Sequence, residues 1–237
     1  SGRIRMQNSL TTSIVSIKPI GIINTLDNLL SGLEGKLRMA EKLETNEASY
    51  TSHASAGYRH YVTLLLTIAM MFAMLDRHLM AVLTEPIRKD LGLSDTQLGL
   101  LTGIAFAVFY TGCGIPLAKL ADRYHRGYLM AGCLAFWSIL TVMTGLAASF
   151  VQMLVFRMGV AVGEAGCQPM SHSLLADYVP EKRRGLAFAW LAAGLSLGGL
   201  SAYLIGGALA SVFGWRMTII LIGLAGLPFA VLLAFTL

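Results

Sequence analysis

From Tyr58 onward the sequence alternates long apolar runs with short polar breaks. Six runs, roughly 60–83, 98–117, 128–148, 150–175, 186–210 and 217–237, each approach or exceed the ~20 residues that a helix needs to cross a bilayer. In lipid, segments so long and so poor in charge must satisfy every backbone N–H and C=O internally, which leaves the helix. The predicted fold class is therefore all-α: a polytopic membrane protein built as a six-transmembrane-helix bundle. Composition agrees, since 13% of the residues are charged where a soluble domain carries about 25%. Two regions follow: a polar extension over 1–57 and a six-helix transmembrane domain over 58–237. In the extension, Leu26, Leu29, Leu30, Leu33 and Leu37 recur at helical spacing, as in a helix lying on a membrane surface or in a poorly ordered arm.

The net charge of +5 would suit a nucleic-acid partner if the cations formed a stripe with interleaved aromatics. They do not. Seven of the 18 Lys and Arg precede residue 60, and most of the others fall in short loops. The expected partners are membrane lipids and no nucleic acid. Lys119, Arg123 and Arg126 occupy the second connection, and Lys182, Arg183 and Arg184 the fourth. The odd-numbered connections hold Arg88, Lys89 and Arg216. Basic loops stay in the cytoplasm, so the N-terminus is expected there, with a bacterial inner (plasma) membrane as the location. Cys113, Cys133 and Cys167 lie within apolar runs and match no metal-ligand spacing. The chain opens on Ser1 and stops at Leu237 inside an apolar run with no closing charge, so a truncated sequence is expected.

Charges inside the apolar runs carry the functional information. Arg157 and Glu164 sit seven residues apart in the fourth run, nearly two helical turns, and so project from one face about 10 Å apart. A charged residue near the centre of a span costs about 2.5–3.5 kcal/mol to insert, so such residues mark a site or pathway by default. Gly159, Gly163 and Gly166 permit close approach of a neighbouring helix, and Pro169 is expected to bend the run near its end. The first run contains Asp76-Arg77-His78. Neighbours point about 100° apart on a helix, so Asp76 and Arg77 must meet different surroundings. Burial raises a carboxyl's proton affinity and an adjacent Arg lowers it, a competition that suits proton coupling. The fifth run has small residues at four-residue spacing through Gly194 and Gly198, a close-packing face.

The second connection reads Gly114-Ile-Pro-Leu-Ala-Lys-Leu-Ala-Asp122-Arg123-Tyr-His-Arg126-Gly127. It resembles the loop signature of the major facilitator superfamily, G-x-L-A-D-R-x-x-R-R, with Ala118 and Gly127 as departures. A carboxylate at a helix end beside several cations can form charge-assisted bonds to neighbouring helix ends. Further segments are similar to the spinster-like branch of that superfamily. They are Leu75-Asp-Arg-His-Leu79, Glu85-Pro-Ile-Arg-Lys-Asp-Leu-Gly-Leu-Ser94-Asp-Thr-Gln-Leu-Gly99, and Gly163-Glu-Ala165 followed by Pro169. Asp177-Tyr-Val-Pro180, Arg183-Arg-Gly185 and Gly214-Trp-Arg216 fit the same pattern, while Ala161 stands where the branch usually has glycine.

The resemblance covers roughly residues 60–237 and implies the N-terminal six-helix half of a secondary transporter working by alternating access. By that resemblance the transport is proton-coupled, of a lipid-like or organic-anion small molecule. Asp76 would carry the proton, with Arg77, Arg157 and Glu164 around the substrate cavity, and Asp122, Arg123, Arg126 and Asp177 would form a cytoplasmic loop latch. No cofactor is implied, the proton gradient being the driving force, and the missing C-terminal six-helix half would be the partner. A non-transporting six-helix scaffold or receptor is the alternative. An enzyme is not expected: an intramembrane serine protease needs a Ser–His pair at membrane depth, and the sixth run contains no His. Gly194-Leu-Ser196-Leu-Gly198 matches G-x-S-x-G in mid-span, far from the strand–turn–helix setting that motif requires.

Overall fold

The computed structural model describes residues 30, 32–35, 38 and 56–237. The chain separates into two compact units, Ser1–His53 and Ala54–Leu237. In the first, the described residues are helical and exposed, Leu30 and Leu33 among them; Leu26, Leu29 and Leu37 of the expected apolar stripe lie outside the described residues.

The described residues of the second unit, 56–237, are all helix apart from short connections, as the sequence predicts. Helix α1 (Ala56–Val82) is followed by the short α2 (Thr84–Leu91), which ends on Gly92 in the left-handed conformation. Ser94 then opens α3 (Asp95–Gly99) with a capping box. Its hydroxyl accepts from the Gln97 N–H, and the Gln97 side chain accepts from the Ser94 N–H. One π-helical turn (Leu100–Ile104) leads into α4 (Ala105–Ala121), and α5 (Arg126–Leu146) returns. Ser149 caps α6 (Phe150–Ala165), which passes through Gly166 into α7 (Cys167–Tyr178). The break has the expected origin. Pro169 has no N–H to offer the Ala165 carbonyl four residues back, so the helix cannot run straight through Gly166.

The last stretch comprises α8 (Glu181–Ser201), a second π-helical turn (Ala202–Gly206) and α9 (Gly207–Thr236). Five helical stretches are long and apolar enough to cross a membrane, and this one, Glu181–Thr236, has 56 residues. At 1.5 Å per residue it would measure about 84 Å, far beyond a hydrocarbon core of about 30 Å. It breaks at Gly214 (φ 77°, ψ 168°), a backbone conformation open essentially to glycine alone. Residues 181–213 and 215–236 thus supply the fifth and sixth of the six predicted crossings.

The most extensive helix pairs are α5 with α9 and α1 with α8, while α6 packs on α5 and α4. In the α1–α8 pair, backbone meets backbone. A Cβ on Gly194 would lie 2.5 Å from the Thr67 carbonyl oxygen, and one on Gly198 would collide with that of Met71. The small-residue spacing of the fifth run is therefore a packing face. Two apolar clusters fill the unit. One holds Val62, Leu66, Met70, Leu134, Val160, Leu191 and Leu233; the other holds Leu79, Leu83, Leu101, Met153, Trp215 and Ile219. On α1 the first cluster ends at Ala73 and the second begins at Leu75. The buried charges lie at that boundary.

Candidate functional site

Asp76 and Arg157 face each other across the α1–α6 contact. An Arg157 Nη1–H donates to Asp76 Oδ2 at 2.7 Å, both side chains are at most 5% exposed, and the Thr141 hydroxyl of α5 donates to Asp76 Oδ1 at 2.9 Å. Asp76 is thus held from two neighbouring helices. Arg77 departs in another direction, as adjacent helical residues must. Its Nη2 donates to Glu164 Oε2 at 3.0 Å, and its guanidinium lies 4.5 Å from the centroid of the Tyr110 ring and 5.0 Å from that of Phe106. Arg157 reaches the same Phe106 ring at 5.3 Å. Cations over aromatic faces gain more when desolvated, and α4 supplies that face to both.

The four expected cavity residues therefore form two interlocked ion pairs with no net charge. The expected Arg157–Glu164 neighbourhood is real but indirect, since each member pairs with α1 instead of with the other. Burying such pairs is expensive unless every polar atom finds a partner. Here three do not: Arg77 Nε, Arg157 Nε and Glu164 Oε1 are buried without a hydrogen-bond partner among the described residues. Gly159, Gly163 and Gly166 turn toward Leu140, Trp137 and Cys133 of α5, which brings that helix against the charged layer. Ala161 is fully buried.

At the loop end the four expected latch residues divide. Arg126, the first residue of α5, donates to Asp177 Oδ2 near the end of α7 at 2.6 Å. Asp122, capping the end of α4, and Arg123 are exposed and make no ion pair among the described residues. Arg184 instead donates to the carbonyls of Val179 and Ala176. At the opposite end Arg216 bonds Asp90 at 2.8 Å and the Ala147 carbonyl at 2.6 Å, stitching three connections together. Sequence reasoning used Arg216 as a topology charge and as part of a family-like segment but gave it no partner, and it overlooked Thr141, Phe106 and Tyr110. The four-residue spacing of Phe106 and Tyr110, one helical face, was the available signal.

Six crossings around a buried, charge-balanced layer define a polytopic membrane protein with an ionisable interior. The family model for the Major Facilitator Superfamily matches residues 65–237, and the chain belongs to that superfamily. A bacterial homologue of the human lysosomal transporter Spinster, solved inward-facing and unoccupied, matches with a TM-score of 0.74 at 40% identity over 78% of this chain and 44% of its own. An MFS-type efflux pump of Mycolicibacterium smegmatis is 40% identical over 62% of this chain and 34% of its own length. A probable L-galactonate transporter of Escherichia coli is 32% identical over 71% of this chain and 37% of its own. The chain thus spans about a third of the length of these curated relatives. Its relatives are transporters, not enzymes, and its spinster-like character rests on the same comparisons.

Proposed function

We propose that this chain is the first six-helix half of a secondary transporter that works by alternating access, coupled to protons and moving a lipid-like or organic-anion small molecule. The observation that carries the reading is the pair of interlocked ion pairs between α1 and α6, with Asp76, Arg157 and Glu164 buried and Arg77 partly exposed, beside the junction of the two apolar clusters on α1. A scaffold has no use for four charges at membrane depth, whereas a transporter can exchange their partners. Adding a proton to Asp76 weakens its bond to Arg157, and a guanidinium so released is free to meet an anionic substrate. Glu164 Oε1, buried and without a partner, offers a second place for a proton beside Arg77. The likeness to the probable L-galactonate transporter, whose named substrate is a carboxylate, supports an organic anion. In this reading the second six-helix half is the partner, the membrane is a bacterial plasma membrane, and the even-numbered loops and N-terminus face the cytoplasm.

The test is uptake or efflux into proteoliposomes by the protein carrying both halves, driven by an imposed proton gradient. Asp76→Asn should abolish the gradient-driven component while leaving exchange of substrate across the membrane. Gradient-driven transport at the wild-type rate in both Asp76→Asn and Glu164→Gln would remove these carboxyls from proton coupling.

A further inference from the structure

A second site lies far from the charged layer, where α1 and α8 begin. Arg59 precedes Asp76 by seventeen residues, about 25 Å along α1. There a cavity of about 270 Å³ is lined by the cations Arg59, Lys182 and Arg183 together with the apolar Val179, Leu186 and Trp190. Its lining also includes His60 and contains no Asp or Glu. None of the three cationic side chains has an ion-pair or hydrogen-bond partner among the described residues. Two acidic residues flank the pocket's loop: Asp177 is engaged by Arg126 at 2.6 Å, and Glu181, between the lining residues Pro180 and Lys182, is exposed, does not line the cavity and forms no ion pair among the described residues. Trp190 and Leu186 are exposed, 56% and 67%, on a helix read as spanning the membrane.

Cations that only set topology need no shared cavity; here three line one, together with Leu186 and Trp190 of α8, a helix read as continuing into the membrane. We propose that this pocket binds the headgroup of an anionic phospholipid. The phosphate meets Arg59, Lys182 and Arg183, and the acyl chains run outward past Leu186 and Trp190. Basic pockets between transmembrane helices at the membrane surface suit such headgroups, and an indole, apolar at one end and polar at the other, suits that boundary. At about 270 Å³ the cavity lies just below the roughly 300–1,000 Å³ of sites that take up whole drug-sized ligands, a size that suits a headgroup whose chains remain in the bilayer. The site is separate from the transport reading and stands if that reading fails.

The experiment is native mass spectrometry of the chain released from nanodiscs of phosphatidylcholine with a graded fraction of phosphatidylglycerol. The wild type should retain phosphatidylglycerol in preference to phosphatidylcholine. Arg59→Gln with Lys182→Gln and Arg183→Gln should lower that retention at least about tenfold, each cation near the surface contributing to anionic-lipid attraction. Lys182→Gln alone should lower it, while Lys119→Gln, the same charge change on another connection, should not. If the triple variant fails to remain monodisperse, the single pair decides. Equal loss in Lys182→Gln and Lys119→Gln would mean diffuse surface attraction and overturn the site. So would equal retention of the two lipids, and full displacement by soluble glycerol phosphate would make a free phosphate compound the ligand instead of a lipid.

Discussion

At the scale of single residues, the charged layer separates what a buried ion pair does for folding from what it does for function. Removing one partner of such a pair strands the other, at a cost of about 3–5 kcal/mol, whereas an apolar pair of similar volume in its place is often neutral. Arg157→Met, which leaves Asp76 and the Thr141 hydroxyl facing an apolar side chain, should lower the thermal midpoint of the detergent-solubilised protein by that free energy. Arg157→Met combined with Asp76→Leu should restore most of it, yet remain inactive in the transport assay. Additive losses in the two single variants and the double one would mean that the pair is not energetically coupled. Thr141→Val removes one hydrogen bond to a charged group and should cost about 1.5–3 kcal/mol in the same melt. The members of this layer were legible in the sequence because a charge in an apolar run stands out. Their pairing was not. Spacing along one helix places Arg157 and Glu164 on a common face, but only the neighbouring helix decides that each meets α1. Thr141 carries no such signal, and Phe106 and Tyr110 only their shared helical face, since hydroxyl and aromatic residues are ordinary in membrane helices.

Among the elements, the six runs translate into crossings with ends shifted by a few residues, because length and apolarity are what a bilayer selects. The kinks are less legible. The Gly166 break follows from Pro169, but the two π-helical turns over Leu100–Ile104 and Ala202–Gly206 have no counterpart in the runs. The turn between the fifth and sixth crossings also contracts to a single non-helical residue, where a loop of several was expected. That residue, Gly214, is open to test. At φ 77° and ψ 168° an L side chain is strained by about 1–3 kcal/mol, although a Cβ there would meet no neighbour within 4 Å. Gly214→Ala should therefore destabilise by that amount through backbone strain alone, read as a lower melting midpoint. Gly198→Ala should fail for the opposite reason. Its backbone is helical, but the added methyl collides with the Met71 carbonyl of α1 and forces the two helices apart. Disulfide trapping between cysteines introduced on α1 and α8 would report that separation, with slower cross-linking expected in the Gly198 variant and an unchanged rate in the Gly214 variant.

For the molecule as a whole, the informative fact is which of the four latch residues are already satisfied. Arg126 and Asp177 tie the start of α5 to the end of α7 within this half, and Arg216 with Asp90 ties the connections at the other end. Neither pair reaches out of the six-helix unit. Asp122 makes no ion pair among the described residues; it stands exposed at the end of α4, beside the equally exposed Arg123. A carboxylate at a helix end, held in place by a loop whose own next cation is occupied, is positioned to accept from a donor elsewhere, and the proposed second half is where that donor would lie. Asp122 and Arg126 then have different tasks. Under this proposal Asp122→Ala would remove the contact between halves and leave this half intact, whereas Arg126→Gln would free Asp177 and loosen the loop that presents Asp122. In the protein carrying both halves, Asp122→Ala should raise labelling of cavity cysteines from the side of the even-numbered loops and lower it from the other, with no change in thermal midpoint. Arg126→Gln should shift labelling in the same direction and also lower the midpoint, by no more than about 1 kcal/mol for a pair so exposed to solvent. Unchanged labelling on both faces in Asp122→Ala would end its role in the latch, and labelling that shifted only in Arg126→Gln would reassign the latch to the pair inside this half.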